Sequence, residues 1–220
     1  MRRTPPFFLA AMLILSLLTA RPAYARMYST TMDIKDDPRM IEYLVSPSIC
    51  RILYDLGLDQ DRKLGIKDCA GRYYVQPLLS VVISPIDVPE KSMNPDKGVW
   101  LTRYSLTRCG DTKIYNAIFT ADPAGGFPTA TAFFPGGSYA SPLLIHDAMF
   151  QATVTALVKS GVNDCKEAMV YDMRPDGTPD KDGCWSEVWI FRVCGKLVDV
   201  PINFVPDRKT GGTTFYMKMN

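Results

Sequence analysis

The chain carries one phrase twice. Trp100, Tyr104, Leu106, Cys109, Gly110, Phe119 and Asp122 recur as Trp185, Trp189, Phe191, Cys194, Gly195, Phe204 and Asp207, at a constant offset of 85 residues. A Gly-Gly pair follows each copy, Gly125-Gly126 and Gly211-Gly212. The phrase P-D-K-(x)-G-x-W leads into each, over residues 95–100 and, with one residue inserted, 179–185. An internal repeat constrains the fold more than any composition does, because one supersecondary unit must be built twice.

Each copy reads as a β-hairpin. Cys109-Gly110 and Cys194-Gly195 mark the turns, and glycine taken as the first central residue makes them type II′. The second copy then pairs Arg192 with Asp199, Phe191 with Val200 and Trp189 with Ile202. Trp185, Trp189, Phe191, Val193, Val198, Val200, Ile202 and Phe204 share one apolar face at period two. In the first copy Trp100, Tyr104, Leu106, Tyr115, Ala117 and Phe119 do so, interrupted by Arg108 and Lys113. One residue resists this register. Pro201 falls opposite Ile190 at a hydrogen-bonded site, which proline cannot serve. A bulge or a longer turn is required there.

A β-rich run precedes each loop, at 78–83 and 168–171, and adds a strand. The fold class is therefore α+β: two pseudo-repeated three-stranded antiparallel β-meanders with packed helices, stabilised by disulfides. Residues 37–58 have a helical pattern, with Asp37 as cap and Pro38 in the first turn. Pro47 splits that segment into two short helices. Residues 58–71 read as a charged loop and 73–86 as strand. Residues 140–160 form the clearest helix, capped by Ser141, with Pro142 in its first turn and Gly161 as its stop. Leu144, Ile145, Met149, Thr153, Leu157 and Val158 favour one face of it. The Pro/Gly-rich stretch 122–137 joins the halves. The domain reading is a signal peptide at 1–25, a flexible lead at 26–36, a first helix-plus-meander half at 37–135 and a second at 136–220.

The signal peptide rests on Arg2 and Arg3, an uncharged apolar run over 7–20, and Ala23-Tyr24-Ala25 as cleavage site. The run is shorter than the ~20 residues of a spanning helix, so no transmembrane segment is expected after cleavage. Losing Arg2, Arg3 and Arg21 from 25 basic residues leaves 22 against 23 acidic ones. A near-neutral chain excludes nucleic acid as the expected partner. All six cysteines lie beyond the cleavage site, and an even number in an exported chain reads as disulfides. In a meander the start of strand one lies beside the end of strand two. That pairs Cys69 with Cys109 and Cys165 with Cys194, and leaves Cys50 with Cys184. The rival scheme joins Cys50 to Cys69 and Cys165 to Cys184.

Chemistry is sparse. No Walker A loop, G-x-G-x-x-G turn or H-E-x-x-H helix is present, and no cofactor is expected. His146 is the single histidine; beside Asp147 on a helix it points about 100° away and is no ready dyad. Asp176, Asp180, Asp182 and Glu187 fall at positions 1, 5, 7 and 12 of a calcium-type loop, although Lys181 replaces the needed glycine. Trp100, Tyr104, Trp185 and Trp189 are candidates for a stacking platform, against a core reading of the same face.

The phrase W-x3-W-x4-C-G, F-x2-D and G-G-T-x-F from Trp185 to Phe215 resembles the tails of small secreted bacterial proteins of unknown function. The resemblance implies an exported β-rich module and brings no activity or cofactor. The expected function is a periplasmic or secreted, non-enzymatic binding or envelope-associated protein, its partner an unknown protein or small ligand of the cell envelope. A small exported hydrolase using carboxylates is the alternative.

Overall fold

The computed structural model describes residues 42–207 and 209–218. The expected signal peptide, the polar lead and the Asp37-Pro38 cap lie outside the described residues. Two units follow one another, each a helix and then a four-stranded antiparallel meander. Unit one comprises α1 (Pro47–Lys63), β1 (Tyr73–Asp87), β2 (Lys97–Arg108), β3 (Asp111–Thr120) and β4 (Thr129–Phe133). Unit two comprises α2 (Pro142–Ser160), β5 (Ala168–Pro175), β6 (Trp185–Val193), β7 (Lys196–Pro206) and β8 (Thr213–Met217). The sheets run β1-β2-β3-β4 and β5-β6-β7-β8.

The α+β class therefore holds, and the three-stranded meanders are corrected to four strands. The added strands β4 and β8 are five residues each. The aspartate and Gly-Gly pair of each copy make the turn before them. Asp122 accepts from Ala124 N at 2.9 Å, and its carbonyl accepts from Gly125 N. Asp207 accepts from Lys209 N and Thr210 Oγ1, while its N–H donates to the Gly212 carbonyl. Aspartate side chains that bond the backbone two residues on are turn makers.

The hairpin register is shifted by two from the sequence expectation. Val193 pairs with Lys196, so Phe191 meets Val198 and Trp189 meets Val200. Both central residues of each turn have positive φ, 46° and 83° at Cys109-Gly110 and 45° and 86° at Cys194-Gly195. That is a type I′ turn, whose twist matches the strands. A slip of two keeps every side chain on its face, so the apolar face survives the correction. Pro201 now stands opposite Val188, a non-hydrogen-bonded site in the alternation that starts at Val193 and Lys196. At the other end, the free edge of β1 is blunted by irregular register and by Pro77, whose nitrogen faces away from β2.

α1 is longer than the sequence pattern suggests. Ser46 caps it through Ile49 N, Pro47 opens it, and it continues to Lys63, into the first part of the 58–71 segment expected to be loop; the remainder of that segment is loop. α2 has the expected ends: Ser141 accepts from Leu144 N at 3.2 Å, and Gly161 closes it in the left-handed region at φ 63°. Its buried face differs. Ala148, Ala152 and Ala156 sit on the sheet with Ile145, and Val158 is exposed. Small residues let the helix approach the sheet, and the larger Leu144, Met149 and Leu157 fill its flanks.

Each unit has its own core. In unit one Ile49 and Leu53 of α1 cover Trp100, Tyr104, Leu106, Tyr115 and Phe119. In unit two the alanines of α2 cover Trp189, Phe191, Val200, Ile202 and Phe204. Matched pairs stack in both: Trp100 on Phe119 at 5.3 Å and Trp185 on Phe204 at 4.8 Å.

Two disulfides form as the meander argument requires, Cys69–Cys109 and Cys165–Cys194. Each contributes roughly 2–4 kcal/mol by restricting the unfolded chain. The pairing of Cys50 with Cys184 is corrected: both thiols are free. They belong to different units, so no shared hairpin brings them together. The two bridges suggest an oxidising, exported location. Among the described residues no helix is long and apolar enough to cross a membrane.

Candidate functional site at the seam of the two units

The segment after β4 stitches the units together. Gly136 N donates to the Ile114 carbonyl of β3 at 2.9 Å, and Gly137 N to the Met173 carbonyl of β5 at 2.7 Å. A Cβ on Gly136 would lie 2.2 Å from Met173 N, so only glycine passes there. Asn116 Nδ2 donates to the Phe134 and Gly136 carbonyls, and Arg103 holds both Asn116 Oδ1 and the Ser138 carbonyl.

Glu187 anchors the end of this segment. Its side chain points into unit two, wholly buried. Oε1 accepts from Ser138 Oγ at 2.9 Å, Tyr139 N at 2.8 Å and Trp185 Nε1 at 2.8 Å; Oε2 accepts from Trp189 Nε1 at 2.8 Å. Four donors compensate a carboxylate removed from water. The calcium-loop reading is therefore corrected. Glu187 is engaged in the core, and Asp180 Oδ1 closes its own loop by accepting from Asp182 N and Cys184 N. Asp176 lies in the same loop, and the four acids do not converge. Among the described residues no group of three His, Cys, Asp or Glu is placed to hold a metal.

The aromatic platform is not formed either. Trp100, Tyr104 and Trp189 have no exposed surface, and Trp185 is half-buried against Phe204. A ligand cannot stack on rings that already pack against helix and strand. His146 lies on the outer surface of α2, with Nδ1 3.9 Å from Asp147 Oδ1.

What the structure does assemble is a buried ionic cluster in unit one. The inner row of α1 runs Leu53, Gly57, Asp61, and Asp61 reaches the end of the β2–β3 hairpin. Its Oδ2 pairs with Arg108 Nε at 3.1 Å, with both side chains almost wholly buried. Its Oδ1 accepts from the Tyr115 hydroxyl. Burial raises the Asp61 carboxyl above its ordinary value, against the lowering pull of Tyr115 and Arg108. Burial, reinforced by Asp61, pushes the Tyr115 and Tyr104 phenols up, and burial alone pushes Tyr43 up to about 12. Arg108 Nη1 and Nη2 and the Tyr104 hydroxyl have no hydrogen-bond partner among the described residues. With both carboxylate oxygens engaged, Asp61 holds the C-terminal end of α1 to the hairpin.

Beside this cluster an open crevice of about 300 Å³ runs between the units, lined by Gly65, Ile66, Tyr171, Arg192, Gly195 and Leu197. Ile66 N donates to the Asp61 carbonyl, so one wall is the continuation of α1. Across the seam Arg192 Nη1 donates to the Leu64 carbonyl. Lys113 Nζ donates to the Tyr171 carbonyl at 2.8 Å and lies 4.0 Å above the Tyr171 ring. Burial lowers the Lys113 ammonium from its ordinary value, opposed by Asp172 and Asp61.

Neither Asp61 nor Arg192 stands out as a candidate in the sequence. Arg108 and Lys113 interrupting an otherwise apolar face were the available signal for the cluster. No family model, no curated protein and no solved structure matches this chain.

Proposed function

We propose that the protein is an exported, non-enzymatic binding or envelope-associated protein that docks a protein partner on the outward face of α2. One observation carries this reading. Leu143, Phe150, Val154 and Val158 form a stripe along that face, and Phe150 is 81% exposed. Helical spacing sets the stripe opposite the alanine row that packs on the sheet. The outer face of α1 is instead laced with ion pairs, Arg51–Asp55 and Lys63–Asp59. An exposed Phe and three aliphatic residues lie along one face of the helix, with Asp147 among them, and such stripes mark interaction surfaces. The resemblance of residues 185–215 to exported bacterial modules belongs to the same reading. A carboxylate hydrolase would need acids converging on an open cleft. Asp61 and Glu187 are instead engaged in the two interiors.

The test is Phe150→Glu, alone and with Val154→Glu, followed by fractionation of the envelope. The wild type is expected to co-sediment with envelope material and the variants to be released, with melting temperatures unchanged because neither residue is core. Equal release of wild type and variants overturns the proposal.

A further inference from the structure

We propose that the seam crevice is a site for a small organic carboxylate, gripped by Arg192 and covered by Tyr171. Arg192 spends only Nη1 on the Leu64 carbonyl. Among the described residues no acid pairs with it, and Nε and Nη2 form the side-on edge that takes a carboxylate with two parallel bonds. The neighbouring cation Lys113 is tied to the Tyr171 carbonyl and lies over the ring. Its hydrogen bond is spent on Tyr171 and leaves the Arg192 edge alone.

The rest of the lining selects what the carboxylate is attached to. Ile66, Leu197 and the Tyr171 ring offer apolar surface, and about 300 Å³ holds a small molecule only. Gly195 leaves the position of a side chain open, with nothing within 4 Å. Inorganic phosphate would want several donors around it, and one guanidinium edge provides two. A compact anion with a flat apolar body fits both halves of the site. Both units contribute walls, as small-molecule sites between packed units commonly require. The α2 docking face plays no part, so either proposal can fail alone.

The experiment is an amide NMR titration of the disulfide-intact chain with sodium benzoate, benzamide and sodium phosphate. Benzoate is expected to shift the Gly65 and Gly195 amides saturably, and benzamide to bind at least about tenfold more weakly, having lost the charge-assisted pair. Arg192→Lys keeps a cation and a donor for the Leu64 carbonyl but loses the fork. It is expected to weaken benzoate about tenfold, with the remaining spectrum unchanged. Leu197→Asp, directly opposite Arg192 in the β6–β7 ladder, sets a fixed carboxylate against the guanidinium and is expected to abolish the benzoate shifts. The proposal is overturned by the absence of saturable benzoate shifts up to roughly tens of millimolar. Equal binding of benzamide, tighter binding of phosphate, or an unchanged affinity in Arg192→Lys would overturn it too.

Discussion

The two units share a scaffold and differ in how they satisfy it. In unit two the indole N–H groups of Trp185 and Trp189 both end on Glu187. Their counterparts in unit one, Trp100 Nε1 and the Tyr104 hydroxyl, have no partner among the described residues. Thr102 stands where Glu187 does, and it bonds Ser80 at 3.0 Å instead. Unit one places its charge further along the same face, at Arg108, and meets it with Asp61 from the helix. The repeat thus sets shape. The residues that break the repeat decide where buried charge sits, and in both units it is used to tie a neighbouring element to the sheet.

The sharpest way to break this comparison is Glu187→Ala. It strands four donors at once, those of Ser138 and Trp189 buried and those of Tyr139 and Trp185 part-buried, and a buried donor left unmatched costs about 1–3 kcal/mol. A loss of at least ~4 kcal/mol in denaturant unfolding is expected, whereas Thr102→Ala, which removes one neutral partner, should cost about 1 kcal/mol. Similar losses would mean that Glu187 is no hub.

Asp61 is next. Asp61→Ala leaves Arg108 buried without its carboxylate and should cost roughly 3–5 kcal/mol, while the double replacement Asp61→Leu with Arg108→Met should recover most of that. Its pH signature follows from the raised carboxyl. Between the ordinary value of 3.8 and the higher folded value, the folded chain binds more protons at this site than the unfolded chain. Stability contributed by this site therefore rises as pH falls through that window. Relative to Asp61→Asn, the wild type is expected to gain stability on acidification; a relative loss would show that Arg108 and Tyr115 outweigh burial.

The gentlest test is a matched pair. Tyr104→Phe removes a hydroxyl that bonds nothing described and should be neutral or mildly stabilising, within about 1 kcal/mol. Trp189→Phe takes a donor from Glu187 and opens space in the core, for about 2 kcal/mol or more. Equal effects in chemical unfolding would erase the distinction between the units.

Several of these features were legible beforehand for definite reasons. Hairpin faces depend only on period two, so they survived a register slip of two residues. The two bridges depend only on where a meander brings strand ends together. The α2 caps depend on Ser141, Pro142 and Gly161 alone. The turn type is not legible because a type I′ turn needs positive φ at cysteine as well as glycine, which few non-glycine residues adopt. β4 and β8 were missed because five residues give too little alternation to register. Glu187 passes for a loop acid in the sequence, although it has the parity of Trp185 and Trp189 and belongs to their face. Asp61 has no such mark: in sequence it resembles Asp59, whose half-exposed side chain pairs with Lys63.

By itself, then, the sequence determined the duplication, the faces of its hairpins and the pairing of four cysteines. All of these rest on short-range geometry: two-residue pleats, two-residue turns and strand ends. Only the tertiary structure decided which polar groups meet in the interior. A buried charge must find its compensation wherever the fold delivers it, and here that is 49 residues away for Ser138 and Glu187 and 54 for Asp61 and Tyr115. No local pattern encodes such a meeting, because the cost of desolvation is felt only once the surrounding elements have closed over the charge.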